Sequence, residues 1–254
     1  MSKSAQAIHE FVTALELPEV GPRFESAALP EPPQFTDKRE VVAVGPQLAE
    51  FSSAVPADLR PLISNSMLLA QLAASKATAQ ATTAFEWHAK YRDVLSNIGW
   101  QTHGSEEQVQ EVSNKNLGVH KAIIPVLTAI LGPAVAATSM IISVLQGLQE
   151  MDASSPWITL FDQSSQHAKG AKFQISYVDA DRNGEPAISL LAFSIQAERT
   201  ITQVLFFKFS AQKAELRKST STLATTAARL TADKDVIAGR VQNFIADFVK
   251  NIEI

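Results

Sequence analysis

Residues 122–149 carry no charged side chain, and this run limits the possible folds of the chain more than any other feature. The run reads AIIPVLTAILGPAVAATSMIISVLQGLQ. As one helix it would be about 42 Å long at ~1.5 Å per residue, whereas the hydrocarbon core of a bilayer is about 30 Å thick. Pro125 and the pair Gly132-Pro133 interrupt such a helix. The run therefore predicts a helical hairpin rather than a permanent transmembrane span.

Two interpretations of this run stay open. In one, the hairpin is buried at the centre of a large domain. In the other, it is covered in solution and released into a bilayer, because an exposed apolar patch of this size would cause aggregation. The second interpretation makes the larger apolar side chains candidates for membrane contact: Ile123, Ile124, Leu127, Ile130, Leu131, Val135, Met140, Ile141, Ile142, Val144 and Leu145.

Proline is concentrated near the start of the chain, where eight of the twelve prolines lie in the first 61 residues. Each proline fixes φ and removes a backbone donor, so residues 1–56 are predicted to form an extended wrap, with a flexible leader as the alternative. Four apolar residues from Ile8 to Leu15 follow helical spacing and predict one short helix within it. We expect the remainder, 57–254, to be a single domain of helices and a β-meander.

Three long helices are predicted in that domain. A stripe of apolar and small residues predicts a helix over 57–98, and a cap-like Ser-Glu-Glu-Gln sequence begins a second helical stretch over 105–149. Leucine, isoleucine and phenylalanine recur every seven residues from Leu216 to Phe244, which predicts a third helix over 213–252. Small residues line the first helix at Ala70, Ala74, Ala77 and Ala81. This ridge would let the third helix pack closely against it.

Residues 171–211 follow a different periodicity that predicts strands. Apolar residues alternate from Phe173 to Tyr177, and Asn183-Gly184 is a favoured hairpin turn. The runs 187–195 and 201–209 are apolar on both faces and predict two further strands. The predicted fold class is therefore α+β and mostly α: a long-helix bundle with a three-stranded antiparallel β-meander inserted before the C-terminal helix.

Motifs for catalysis, cofactors or metals are not apparent in the sequence. The chain has no cysteine, and its five histidines form no His-Glu-x-x-His or His-x-His pair. Asp179–Glu185 supplies oxygens at positions 1, 3 and 5 of a calcium-type loop, but Leu190 occupies the position of the bidentate carboxylate. A hairpin turn is the favoured interpretation, with weak calcium binding as the alternative. His88 is interpreted as a core or surface histidine rather than a catalytic one. We expect no cofactor and no small-molecule substrate.

Charge is unevenly distributed along a chain of net charge −4. Residues 208–250 hold eight Lys and Arg against four Asp and Glu, and the first 60 residues are acidic. The basic region either meets the acidic wrap within the molecule or faces anionic lipid. A nucleic-acid partner is not expected, because no compact run of basic and aromatic residues occurs. The first residues lack an apolar signal core, so we expect cytoplasmic synthesis and, on secretion, a route without a cleavable signal peptide.

The predicted architecture resembles the helical-bundle pore-forming toxins, the group that includes cytolysin A. The resemblance covers residues 57–252 and consists of two helices of about forty residues with an apolar hairpin and an apolar β segment between them. It carries no diagnostic motif and assigns no residue role. It implies a bundle that packs its apolar segment away in water and exposes it, with oligomerisation, on membrane contact.

The sequence thus favours a non-enzymatic, membrane-active bacterial protein of toxin or virulence type, with a lipid membrane and further copies of the chain as partners. The alternative is a soluble, self-associating structural or scaffolding protein with no membrane step. An enzyme of unrecognised type is a third possibility, because active sites need not show local motifs.

Overall fold

A computed structural model describes residues 4–19, 33–79, 84–110, 117–167, 170–197, 201–209 and 215–252, and for 105–110 it describes the backbone. In this part of the chain, eight strands form one sheet. They are β1 Glu40–Val44, β2 Gln47–Phe51, β3 Gln101–Gln110, β4 Gln166–His167, β5 Gly170–Ala180, β6 Pro186–Gln196, β7 Glu215–Ala224 and β8 Val249–Asn251.

The strand order across the sheet is β3-β7-β6-β5-β2-β1-β8, and β4 pairs with one end of β5. Strands β2 and β5 run parallel, with Gln47 opposite Gln174 and Phe51 opposite Val178. The other pairings of the described strands are antiparallel. The sheet is therefore mixed, and its parallel pair joins a β1-β2 hairpin to strands that follow about 120 residues later in the chain.

Helices cover both faces of this sheet. The described helices are α1 Ala5–Ala14, α2 Arg60–Ala77, α3 Ala84–Asn97, α4 Val119–Leu131, α5 Pro133–Ala136, α6 Met140–Gly147, α7 Pro156–Ser165, α8 Ala227–Ala232 and α9 Lys234–Phe248. The first face packs against α1, α2, α3, α8 and α9. The second face packs against α4 to α7 and the irregular segment 201–209. The result is a three-layer α/β/α arrangement.

Alternating side chains of the central strands separate the two cores. On β5, Phe173 and Ile175 point into the core of the second face, whereas Val178 points into the core of the first. Strand β7 does the same with Leu216 and Leu223, which lie seven residues apart and therefore on opposite faces of a strand. Both leucines are fully buried because helices cover the sheet on both sides.

A buried arginine fixes the start of α2 to the strands beside it. The guanidinium of Arg60 donates to the backbone carbonyls of Ser52 and Val55, at 2.9 and 3.0 Å, and to that of Lys38. It also forms an ion pair with Glu40 on β1. These acceptors satisfy a charge that is fully withdrawn from water. The proline after Arg60 suits the first turn of a helix.

The long-helix bundle predicted from the sequence is wrong, because an eight-stranded mixed sheet forms the centre of the described structure. The predicted helix over 57–98 is two helices, α2 and α3, that pack against each other. The first of them ends at Ala77 with Thr78 as its C-cap residue, and threonine favours a helix less than alanine does. Ala70 and Ala74 of the predicted ridge are buried, Ala77 is exposed, and Ala81 lies outside the described residues.

The other two helix predictions are wrong where long-range strand pairing overrides local pattern. The sequence predicts a helix that begins at Ser105. Residues 101–110 instead form β3 and pair with β7. Residues 215–224, predicted as the first heptads of a C-terminal helix, are β7 itself. The seven-residue spacing of Leu216 and Leu223 fits a helix stripe and a strand buried on two faces equally well.

The predicted meander is correct in its first hairpin and wrong in its third strand. Strands β5 and β6 pair in the expected antiparallel register around Asn183-Gly184, where Gly184 has φ of 79°. Residues 201–209 form no strand of the sheet; their buried side chains fill the core beside α4 and α7. The partner of β6 is β7 instead.

The predicted hairpin in 122–149 is correct at one of its two proline sites. Gly132 ends α4 with φ of 77°, and Pro133 begins α5. Pro125 lies inside α4 without dividing it. The resemblance to helical-bundle toxins is wrong, because an eight-stranded mixed sheet, not a helical bundle, forms the centre of the described structure.

Enlarging a buried alanine of α2 should destabilise the protein. Ala74→Leu adds three heavy atoms where the packing leaves no exposed surface, and we expect it to lower the free energy of unfolding by about 1–3 kcal/mol. Ala77→Leu, one turn further along and exposed, should change it by less than about 0.5 kcal/mol. Urea unfolding of both variants measures this. Equal effects would mean that Ala74 does not lie in the core.

Candidate functional site

The proposed membrane-contact residues lie in one helical unit on the second face of the sheet. We call α4 to α6, residues 119–147, the apolar hairpin. Its inner side chains are buried against β1, β2 and α7: Ile123, Leu127, Ile141, Ile142, Val144 and Leu145. The structure therefore places six of the eleven candidates in the core.

The other five candidates lie towards the outer surface of the apolar hairpin. Ile124, Leu131, Val135 and Met140 are half-buried, and Ile130 is 39% exposed, the most exposed large hydrophobic side chain described. Exposed alanines and prolines surround Ile130, and no charged residue interrupts this surface between 122 and 147. Among the described residues, none of the helices combines the length and apolarity that crossing a membrane requires.

Backbone hydrogen bonds attach the start of α4 to segment 201–209. The amides of Val119 and His120 donate to the carbonyls of Phe207 and Leu205, at 2.9 and 3.2 Å. The Nδ1 atom of His120 lies 2.8 Å from the same Leu205 oxygen, which fits a proton on Nδ1. Its Nε2 atom is buried without a hydrogen-bond partner.

Asp162 on α7 holds the middle of segment 201–209. Its Oδ1 accepts the amide of Val204 at 2.8 Å, and the Leu205 amide also donates to the carboxylate. Burial raises the pKa of Asp162 to about 6, although these two hydrogen bonds oppose the shift. Sequence reasoning did not single out this aspartate, because its partners lie some forty residues away along the chain.

The start of α6 is attached to the sheet by a carboxylate. Glu50 on β2 is fully buried and accepts hydrogen bonds from Ser139, the N-cap residue, and from the amide of Ile141. The apolar hairpin is therefore fixed by polar contacts at the start of α4 and at the start of α6, and its other inner side chains are held by apolar packing.

The first face of the sheet has a different chemistry, because a row of polar side chains is buried under α2 and α3. Gln47 is the centre of one part of this row: it accepts hydrogen bonds from Gln71 and Tyr91 and donates to Ser176, each at 2.9–3.0 Å. Among the described residues, the side-chain amide oxygens of Gln71 and Gln174 are buried without a hydrogen-bond partner. This interface therefore contains buried polar atoms that make no hydrogen bond, which a purely apolar interface would not.

His88 lies in the same interface and is fully buried. Its Nε2 is 3.1 Å from the backbone carbonyl oxygen of Phe193, and its Nδ1 is 3.4 Å from the side-chain amide nitrogen of Gln174. Burial, helped by the nearby cations Arg92 and Lys172, lowers the pKa of His88 to about 3, although the hydrogen bond to Phe193 opposes the shift. The interpretation of His88 as a core histidine is confirmed.

Lys172 is a second buried basic group beside His88. Its Nζ lies 4.9 Å from the ring centre of Trp87, and burial lowers its pKa to about 8. A cation over the face of an indole ring is attracted by the ring quadrupole.

The Asp179–Glu185 segment is a hairpin turn. The Oδ1 atom of Asp181 accepts the amides of Asn183 and Glu185, at 2.8 and 3.0 Å, and Asp179 accepts the hydroxyl hydrogen of Ser52 at 2.6 Å. These oxygens are already used within the fold. Among the described side chains, no three His, Asp or Glu residues lie close enough together to hold a metal ion.

Comparisons with known proteins give weak likenesses. No family model and no curated protein sequence matches the chain. A solved delta-endotoxin structure is 12% identical over 83% of this chain and 91% of its own, with a TM-score of 0.43. The activated Cyt2Ba monomer of Bacillus thuringiensis subsp. israelensis is 12% identical over 70% and 96%, with a TM-score of 0.37. The Evf virulence factor is 14% identical over 96% and 91%, also at 0.37.

None of these three structures is named as a helical-bundle cytolysin. With identity and TM-score both this low, the likenesses support no conclusion about residue roles or activity.

Acid should destabilise the protein through His88. Because its pKa is near 3 in the folded state and near 6.5 in the unfolded chain, the unfolded state binds the extra proton between these values. The stability that neutral His88 contributes is complete above pH 6.5 and is lost as the pH falls towards 3, by up to about 1.4 kcal/mol per pH unit. His88→Gln should flatten this dependence in urea unfolding measured from pH 7 to pH 4. An unchanged slope would contradict the assignment.

Asp162 should act in the opposite direction. Its folded-state pKa is raised above the unfolded value, so the charged carboxylate lowers stability above pH 6 and this penalty disappears as the pH falls towards 4. Asp162→Asn keeps an oxygen acceptor for both amides. We expect it to raise the free energy of unfolding at pH 7 by about 1 kcal/mol and to have little effect at pH 4. A loss of stability at pH 7 would show that the charge itself is needed.

Proposed function

We propose that this protein is a non-enzymatic, membrane-active protein of toxin or virulence type that presents its apolar hairpin to a lipid bilayer. The observation that carries the proposal is the hairpin itself: 119–147 contains one charged residue, Lys121, and covers one face of the sheet. Its outer surface offers Ile130 and its apolar neighbours to solvent, and its buried side chains are apolar apart from His120 and Ser139.

Such a unit has two environments in which its apolar surface is removed from water. Against the sheet, its inner side chains are removed from water in the core of the second face, where α6 contacts β1 and β2. In the interfacial region of a bilayer, the same side chains would be removed from water by lipid. Polar contacts at the start of α4 and at the start of α6 oppose the exchange of one environment for the other.

The first contact would be made by the outer surface as it stands in the folded protein. An uncharged patch with an exposed isoleucine can enter the headgroup region without removing any charge from water. We infer that bilayer contact begins at α4 and α5, around Ile130, and that the inner side chains follow. Assembly with further copies of the chain on the bilayer is part of the proposal.

The decisive test is dye release from liposomes by a matched pair of alanine substitutions. Ala129→Glu places an acidic group on the exposed surface of the apolar hairpin, whereas Ala77→Glu places the same group on the exposed surface of α2, over the opposite face. Both sites are exposed, so stability should change by less than about 0.5 kcal/mol. A charge costs roughly 2.5–3.5 kcal/mol at the centre of a membrane on insertion scales, so we expect Ala129→Glu to slow release at least tenfold.

Ala77→Glu should release dye at the rate of the unsubstituted protein. Equal rates for the two variants would remove the apolar hairpin from the bilayer contact. If the unsubstituted protein releases no dye from neutral or anionic vesicles but forms oligomers in light scattering, the self-associating structural protein becomes the better proposal.

A further inference from the structure

A single buried carboxylate lies where the apolar hairpin meets the sheet. Glu50 is the fourth residue of β2 and points to the second face, where Val41 on β1 and Tyr177 on β5 lie opposite it. Its side chain is 0% exposed. A carboxylate in such surroundings is tolerated only when hydrogen bonds and an opposite charge compensate for the lost water.

One carboxylate oxygen is committed to the first turn of α6. Oε2 of Glu50 accepts the hydroxyl hydrogen of Ser139 at 2.7 Å and the backbone amide of Ile141 at 3.0 Å. The Ser139 hydroxyl in turn accepts the amide of Ile142 at 3.3 Å. Glu50 and Ser139 together therefore satisfy donors that the start of a helix leaves free, and the negative charge lies at the favourable end of the helix dipole.

The other carboxylate oxygen faces an arginine that contacts the same turn. Oε1 of Glu50 lies 3.4 Å from the guanidinium of Arg39. The same guanidinium nitrogen donates to the backbone oxygen of Thr138 and, at 2.9 Å, to its hydroxyl. Arg39 is 28% exposed, so this ion pair lies between the buried carboxylate and solvent.

The contacts of Glu50 depend on one another. If α6 leaves the sheet, Glu50 loses Ser139 and Ile141 in one step, and Arg39 loses Thr138. If the arginine is removed instead, the buried carboxylate loses its opposite charge. Partly broken arrangements therefore leave a buried charge uncompensated, which favours a fully closed or a fully open state.

We propose that Glu50, with Arg39 and Ser139, is the latch that keeps the apolar hairpin closed on the sheet and sets the rate at which α6 is released. This inference rests on the proposed function for its consequence at a bilayer. The latch itself is a property of the folded protein in water, and it is measured there without lipid.

The test compares Glu50→Gln with Glu185→Gln. Glutamine keeps the size of Glu50 but removes the charge and one acceptor oxygen. Glu185 offers a matched control: its Oε2 accepts the amide of Ala227 at 2.6 Å and so caps α8, which packs on the first face. Both variants replace a carboxylate that accepts a backbone amide at the start of a helix. Of the two carboxylates, only that of Glu50 contacts the apolar hairpin.

Hydrogen exchange of the backbone amides is the first readout. In Glu50→Gln, the amides of α6 should exchange about tenfold faster or more, because one charge-assisted contact fewer opposes local opening. Those of α2 and α9 should exchange at the unsubstituted rate. In Glu185→Gln, α6 should be unchanged. Ser139→Ala, which removes the hydroxyl alone, should accelerate α6 in the same direction and covers the case in which Glu50→Gln does not fold. No acceleration in either latch variant overturns the latch.

Dye release from liposomes is the second readout. Glu50→Gln should release dye faster than the unsubstituted protein by a factor similar to its exchange acceleration, and Glu185→Gln should not. If the unsubstituted protein releases dye and Glu50→Gln is no faster, the latch does not control release and the inference is overturned. If none of the proteins releases dye, the proposed function fails, and acceleration confined to α6 still supports the latch.

Discussion

Burial of the central strands on both faces is the constraint on which the described structure depends. Strands β5 and β6 carry large apolar side chains on alternate sides, so the sheet needs a helical layer on each face. The parallel pairing of β2 with β5 meets this need, because the long connection between them carries helices to both sides. The α4–α6 unit packs on the second face because the sheet provides the apolar surface beneath it.

The two interfaces differ in a way that bears on how the molecule could open. On the first face, buried polar groups such as Gln47 and His88 form a network between sheet and helices, with some oxygens left without partners. On the second face, packing is apolar and the polar contacts are gathered at Glu50, His120 and Asp162. Apolar packing is non-directional, so these few contacts carry most of the positional information for the apolar hairpin.

Sequence reasoning succeeded where a local signal is sufficient and failed where a partner distant in sequence decides. The turn at Asn183-Gly184 and the break at Gly132 follow from backbone conformations that glycine adopts readily. Strand β3 is polar and begins like a helix, and only its pairing with β7 makes it extended. The candidate site divides in the same way: its apolar residues were predicted from the run 122–149, but the role of Glu50 was not, because Ser139 lies 89 positions away.

The sequence by itself determined that residues 122–149 form an uncharged, interrupted helical unit, because absence of charge and the positions of proline and glycine are properties of the chain alone. The tertiary structure alone decided what that unit packs against. Leu216 and Leu223 satisfy a heptad and a two-faced strand equally, and only the neighbouring β6 selects the strand. Hydrogen-bonding partners and burial on both faces depend on which distant segments meet, and local periodicity does not encode that choice.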